Sequence, residues 1–142
     1  MNFEYIQFRA WFEEMKKMFE VYSINFDERT VYLVGLGGIA GRKLELLQYT
    51  LKNDKNYDKI YEKDILTGEL GDDIKNKMVY VVYIPSKQTY ELRKMNGDFY
   101  LDLNNMSTSS LEIVGNVYEN PELLEKTWKC GEELWKILLK YI

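Results

Sequence analysis

At 142 residues, 46% of them hydrophobic and 30% charged, the sequence has the size and balance of one folded domain able to bury a core. Its 19 basic and 23 acidic residues are interspersed and sum to −4, which excludes a bulk pull on nucleic-acid phosphate and a dense acidic mimic of nucleic acid. The chain has no histidine, so it lacks the commonest general base, metal ligand and pH switch, and Cys130 alone builds neither a disulfide nor a thiolate zinc site. No catalytic residue, cofactor or metal is therefore expected, and a reducing cytoplasm suits the lone thiol. Residues 1–12 hold Glu4 and Arg9 and no continuous apolar run, which argues against a signal peptide. No stretch approaches the roughly 20 apolar residues of a membrane span. Twelve Tyr, six Phe and three Trp suit half-buried sheet faces and interfaces, where a ring packs while its polar tip stays wet.

In chain order, the aromatic and β-branched run Tyr5 to Trp11 predicts a strand, and the charged Glu13 to Lys17 a turn. Met18 to Phe26 alternates, with Phe19, Val21 and Ser23 on one side and Tyr22, Ile24 and Phe26 on the other. Asp27-Glu28-Arg29 breaks it before Thr30 to Val34, which predicts a hairpin. Gly35 to Arg42 is glycine-rich and is expected as a loop or tight crossing, Leu44 to Tyr49 is either strand or helix, and Asn53 to Tyr57 is a polar turn. Ile60 to Leu66 is extended, and Thr67 to Lys77 is polar enough for a surface loop. Met78 to Ile84 is the most apolar, β-branched run and the candidate central strand, ended by Pro85. Thr89 to Lys94 and Phe99 to Leu103 flank Asn96-Gly97, a strong hairpin signal. Met106 to Ser110 is a polar loop and Leu111 to Tyr118 the last strand.

Asn120-Pro121-Glu122 supplies a cap, a first-turn proline and an acid near the positive end of a helix dipole. Apolar residues then recur at Leu124, Trp128, Leu134, Trp135, Leu138 and Tyr141, which predicts an amphipathic helix to Ile142 with Gly131 as a weak point. The expected fold is mainly β with a C-terminal α-helix (α+β), as a small SH3-like β-barrel or a strongly bent antiparallel sheet. Residues 1–120 would form the β-rich domain, and 121–142 a helix belonging to it or serving oligomerisation.

Three segments resemble the YopX family of phage and prophage proteins over about residues 3 to 124. Phe8-Arg9-Ala10-Trp11 with Lys16-Lys17-Met18 is similar to "FRAWD…KKM". Leu47-Gln48-Tyr49-Thr50, Asp54-Lys55-Asn56, Ile60-Tyr61-Glu62 and Asp64-Ile65-Leu66 follow "QYTGLKDKNGKEIYEGDIV", and Ile113 to Leu124 follows "VIGNIYENPELL". Leu51, Tyr57 and Lys63 stand where the family carries glycine, and Phe12 where it carries Asp. If those glycines serve positive-φ turns, the turns are expected to be rebuilt or distorted here. The resemblance implies a barrel-like β domain, oligomeric in some relatives, with no agreed activity and no catalytic residues.

Val31 to Gly41 also reads as a strand followed by G-x-G-x-x-A, a dinucleotide fingerprint with Asp54 or Asp58 near the position of a ribose partner. No second βα unit follows, so a glycine-rich loop is the better reading. The pairs Glu13-Glu14, Asp72-Asp73 and Glu132-Glu133 point apart as neighbours must, which makes them solvated faces rather than an acid/base couple. Trp128, Trp135, Leu138 and Tyr141 either pack on the chain's own sheet or form a protein interface. The expected function is that of a non-enzymatic phage or prophage accessory protein in the host cytoplasm. It would bind itself as a homo-oligomer, or bind and modulate a host or defence protein. The alternative is a small barrel that binds nucleic acid through exposed aromatics and Arg9, Lys16, Lys17, Arg42 and Lys43.

Overall fold

The structure, a computed structural model, describes residues 3–124. Eleven strands occur among them: β1 (Phe8–Phe12), β2 (Lys17–Asn25), β3 (Thr30–Leu33), β4 (Gly37–Ala40), β5 (Leu44–Asn53), β6 (Lys59–Tyr61), β7 (Asp64–Gly68), β8 (Met78–Ile84), β9 (Thr89–Lys94), β10 (Phe99–Asp102) and β11 (Leu111–Asn116). Single 3-10 turns are the only helical elements among the described residues. The chain divides into two compact units, residues 1–51 and 52–142.

In the first unit the hairpin read from Met18 to Val34 forms as β2–β3, and β3 continues into β4. The glycine-rich stretch is thus a tight turn and a strand, not a loop: Gly35 and Gly37 take φ +83° and +95°, and β4 pairs along β3 from Thr30–Ala40 to Leu33–Gly37. Only a single 3-10 turn, Gly41–Lys43, follows β4, and not the α-helix that a dinucleotide fingerprint requires. β1 pairs with β2 on one side and with β5 on the other, so Leu44 to Tyr49 resolves as strand. The order is β4-β3-β2-β1-β5, with β6 as the hairpin partner of β5. Ala10, Phe12, Phe19, Val31 and Leu33 form this unit's core.

The alternation expected in β2 fails at one point. The register with β3 slips between Val21 and Ser23, which pair with Leu33 and Tyr32. The extra residue is Tyr22, and a bulge of this kind reverses the facing of the residues beyond it. Val21 and Ile24 both turn to the core, while Tyr22 and Ser23 stay exposed.

In the second unit Met78 to Ile84 is the middle strand of a sheet ordered β10-β9-β8-β7-β11. Both faces of that strand are buried, as its uninterrupted apolar sequence requires. Val79 and Val81 pack with Ile60, Leu66, Leu92, Leu103 and Leu111 on one face. Tyr80 and Val82 pack with Ile65, Met95, Val117 and Leu124 on the other. The Asn96-Gly97 hairpin forms as read, with Gly97 at φ +95°. The run Ile60 to Leu66 is broken by a tight turn into β6 and β7. The Thr67–Lys77 segment is more than a surface loop, because Ile74 enters the core and the Lys77 ammonium donates to the carbonyls of Leu70 and Gly71.

Two larger expectations fail. Neither sheet closes, so the architecture is two antiparallel sheets rather than an SH3-like barrel. The helix expected from Pro121 begins as one 3-10 turn, Pro121–Leu123, and Leu124 is already extended at φ −76°, ψ 140°. Asn120 caps nothing there. Its Oδ1 accepts the Asn116 amide at 3.2 Å instead, and the Leu124 side chain is held in the core. The rest of the predicted helix, with Trp128, Trp135, Leu138, Tyr141, Cys130 and Glu132-Glu133, lies outside the described residues.

Where the resemblance sets glycine, the left-handed backbone is kept rather than rebuilt, inside β5 at Leu51 and in turns at Tyr57 and Lys63. Leu51, Tyr57 and Lys63 take φ of +71°, +63° and +70°. Each side chain in this region costs about 1–2 kcal/mol. The cost is tolerated because the surroundings fix the backbone. The Lys63 amide donates to the Val81 carbonyl at 2.8 Å and the Lys63 carbonyl accepts the Val117 amide at 2.9 Å. Tyr57, 87% exposed, loses almost no packing when truncated. Tyr57→Gly and Lys63→Gly are each expected to raise the unfolding free energy by about 0.5–1 kcal/mol in urea titrations at pH 7. A loss of stability in both variants would contradict left-handed turns.

Candidate protein-binding face

Among the described residues the buried carboxylates are all engaged in holding the backbone or in ion pairs. Asp54 begins the turn after β5. Its Oδ1 accepts the amides of Asn56 (2.8 Å) and Asp58 (3.0 Å), and its Oδ2 accepts the Ile113 amide of β11 (3.1 Å). Burial pushes its pKa upward, but the three amides and the Lys55 charge outweigh this and hold the carboxyl below the usual aspartate range. Asp64 accepts the Tyr61 amide at 2.8 Å and closes the β6–β7 turn.

Glu91, 1% exposed on β9, is paired with Lys87 at 3.0 Å and Arg93 at 2.7 Å. Burial again pushes upward, and these two cations pull the carboxyl below its ordinary value. Asn116 does similar work after β11, its Oδ1 accepting the Tyr118 and Glu119 amides. Burial lifts the Tyr80 phenol to about 12 against the opposing charge of Arg93, so it stays protonated at neutral pH. None of these groups is arranged as an acid beside a base, and no cluster of three or more Cys, Asp or Glu fit for a metal ion occurs among the described residues.

The exposed acidic pairs are matched by cations. Glu13 accepts from Lys16 and from the Trp11 indole (2.7 Å), and Glu14 lies 3.6 Å from Lys43. Asp72 meets Lys77 and Asp73 meets Lys94, which pulls the Asp73 carboxyl below its usual value. Of the residues proposed for nucleic acid, Lys16 and Lys43 are thus drawn to the Glu13-Glu14 turn, Lys17 sits over the Phe19 ring at 5.1 Å, and Arg9 is half-buried in β1. Arg42 is exposed just beyond β4.

What sequence reading missed is the outer face of the β2–β3–β4 meander. The Tyr22 bulge brings that ring against Tyr32, with centroids 6.0 Å apart. Tyr32 in turn lies over Gly38, where a Cβ would come within 2.9 Å of the ring. An aromatic laid over an edge glycine in this way supports a strand that has no side chain of its own. Tyr22 (63% exposed) on β2, Phe26 (83%) in the turn after it, and Val34 and Leu36 in the β3–β4 turn are further exposed apolar residues of the meander. The only sequence signal for it was Tyr22 and Phe26 sharing one side of the expected alternation.

The chain matches the family described as YopX protein over residues 7–125. It belongs to the YopX family. A solved structure with the same fold is protein EF1440 from Enterococcus faecalis, with a TM-score of 0.56 and 21% identity over 84% of this chain and 98% of that one. No curated protein matches significantly. The segments that resemble YopX sequences supply both strands (β1 and parts of β5, β6 and β7) and turn builders: Asp54 and Asn56, Asp64, and the Gly115-Asn116 to Asn120 corner. At Gly115 a side chain would collide with Asn120 Oδ1.

Two outcomes test these turn assignments. Gly115→Ala should cost about 2 kcal/mol or more, with part regained when Asn120→Ala is added, a non-additivity visible in a double-mutant cycle. Asp54 and Glu91 ionise more readily folded than unfolded. Their contribution is complete above the unfolded values near 4 and is lost as pH falls through the lower native values. Asp54→Asn should therefore destabilise by about 1–3 kcal/mol at pH 7 and flatten the decline of stability in acid. An unchanged acid slope would count against it.

Proposed function

We propose that this YopX protein is a non-enzymatic accessory protein of a phage or prophage, working in the host cytoplasm by binding other proteins. Its partner is a second copy or a host or defence protein. The observation that carries this reading is the exposed aromatic surface of the meander: Tyr22, Phe26, Val34 and Leu36 stand in water on a unit whose core is already filled by other residues. Tyrosine and phenylalanine on a rigid sheet suit an interface, since their rings bury large area for little conformational cost. The engagement of Asp54, Asp64 and Glu91 in structural contacts supports it from the other side, because acid/base chemistry needs such groups free to exchange protons. Binding of nucleic acid is the weaker reading, as Lys16 and Lys43 are neutralised by Glu13 and Glu14.

The test uses the full chain and a Tyr22→Ser/Phe26→Ser variant, both checked for folding by circular dichroism. Sedimentation and crosslinking in host lysate should show the wild type in a larger species or joined to a specific protein, and the variant at monomer mass with that product lost. If both sediment as monomers and neither crosslinks above a control, the binding reading fails.

A further inference from the structure

The hydrogen-bonding phase of the β3–β4 hairpin leaves a strand edge open. The Gly41 amide donates to the Arg29 carbonyl at 2.8 Å. In the adjoining ladder, Val31–Ile39 and Leu33–Gly37 are then the bonded pairs, while Thr30–Ala40 and Tyr32–Gly38 are not. The N–H and C=O groups of Gly38 and Ala40 consequently point away from β3. β4 is the last strand in its sheet order, and no described strand pairs on its outer side.

Natural sheets blunt such edges with charge, proline, bulges or a covering segment. β11, which ends the other sheet, is covered: the Lys55 amide donates to the Leu111 carbonyl and the Asp54 carboxylate takes the Ile113 amide. β4 reads Gly-Gly-Ile-Ala, with an unbroken register and neither a charge nor a proline.

We infer that β4 is a strand-addition site for an extended segment of another protein. That segment is uncharged where it pairs with Gly38 and Ala40 and acidic where it passes Arg42. The inference rests on the protein-binding reading above and names its partner class. Main-chain bonds to Gly38 and Ala40 supply affinity without demanding particular side chains. The Tyr32 ring over Gly38, with Tyr22 beside it, forms a rigid platform next to the edge. Arg29 and Arg42 flank the Ala40 end, both exposed and neither in an ion pair with a described residue. Asp27 and Glu28 share the turn with Arg29, which leaves Arg42 as the cation that an acidic end meets. A short segment fits better than a second copy. Four residues span about 13 Å, whereas a stable dimer buries roughly 1,200–2,000 Å².

Ala40 offers a clean probe, since its φ of −58° is already that of proline and its N–H makes no ladder bond. Random 12-residue peptides are selected on the immobilised full chain, and their affinities are measured by calorimetry on wild type, Ala40→Pro and Arg42→Glu. Enriched peptides should bind the wild type, weaken at least tenfold with Ala40→Pro and severalfold with Arg42→Glu, and perturb the Gly38 and Ala40 amide resonances of the wild-type protein. Peptides that bind Ala40→Pro equally well, or that leave those two amide signals in place, would overturn the site whether or not the variant folds well. So would a selection that enriches nothing. Protein capture that depends on Tyr22 and Phe26, with no peptide at β4, would remove the strand site and leave the binding reading standing.

Discussion

A buried carboxylate that answers three backbone amides organises the second unit of this protein. Asp54 gathers the amides of its own turn and one from β11, 59 residues away in sequence. A buried amide without a partner costs about as much as a hydrogen bond is worth in a dry environment, so every strand end must find acceptors somewhere. Here one side chain replaces a missing strand. It sets the β5–β6 turn and covers the end of the five-stranded sheet in a single arrangement. Asp64 and the Asn116–Asn120 corner extend the same logic to the β6–β7 turn and to the exit from β11.

This shows what family motifs rich in Asp, Asn and Gly do for the fold. Asp, Asn and Gly are the residues of active sites, and they are also the residues of turns, because their short side chains mimic backbone acceptors and their conformations reach positive φ. Asp54, Asp64 and Asn116 are all put to the second use here. Tyr57 and Lys63 show how firmly the turns are specified. The left-handed conformation persists there with a side chain in place, held by the Tyr57 amide on the Asp54 carbonyl and by the Lys63 bonds to Val81 and Val117.

The surface left over is uneven. Of the four strands that end the two sheets, β11 is capped by hydrogen bonds from Asp54 and Lys55, whereas β4 is an uncharged Gly-Gly-Ile-Ala strand beside the Tyr22 and Tyr32 rings. A protein under selection against aggregation usually removes such an edge. Its survival beside a supporting tyrosine motivates the strand-addition proposal, and the bulge at Tyr22 is the local event that builds the platform.

The sequence alone determined the local alphabet. Met78 to Ile84 had to be a doubly buried strand because it is apolar at every position, Asn96-Gly97 had to turn, and most strands followed from β-branched runs between polar breaks. The tertiary structure decided everything that depends on partners distant in the chain. It set β1 between β2 and β5, opened the expected barrel into two sheets, made an edge strand of a glycine run, and drew Leu124 into the core where a helix was expected. Periodicity reports how a residue faces within its own segment. It says nothing of which strand lies beside it or where one extra residue reverses the facing, because those are set by hydrogen bonds and packing across tens of residues.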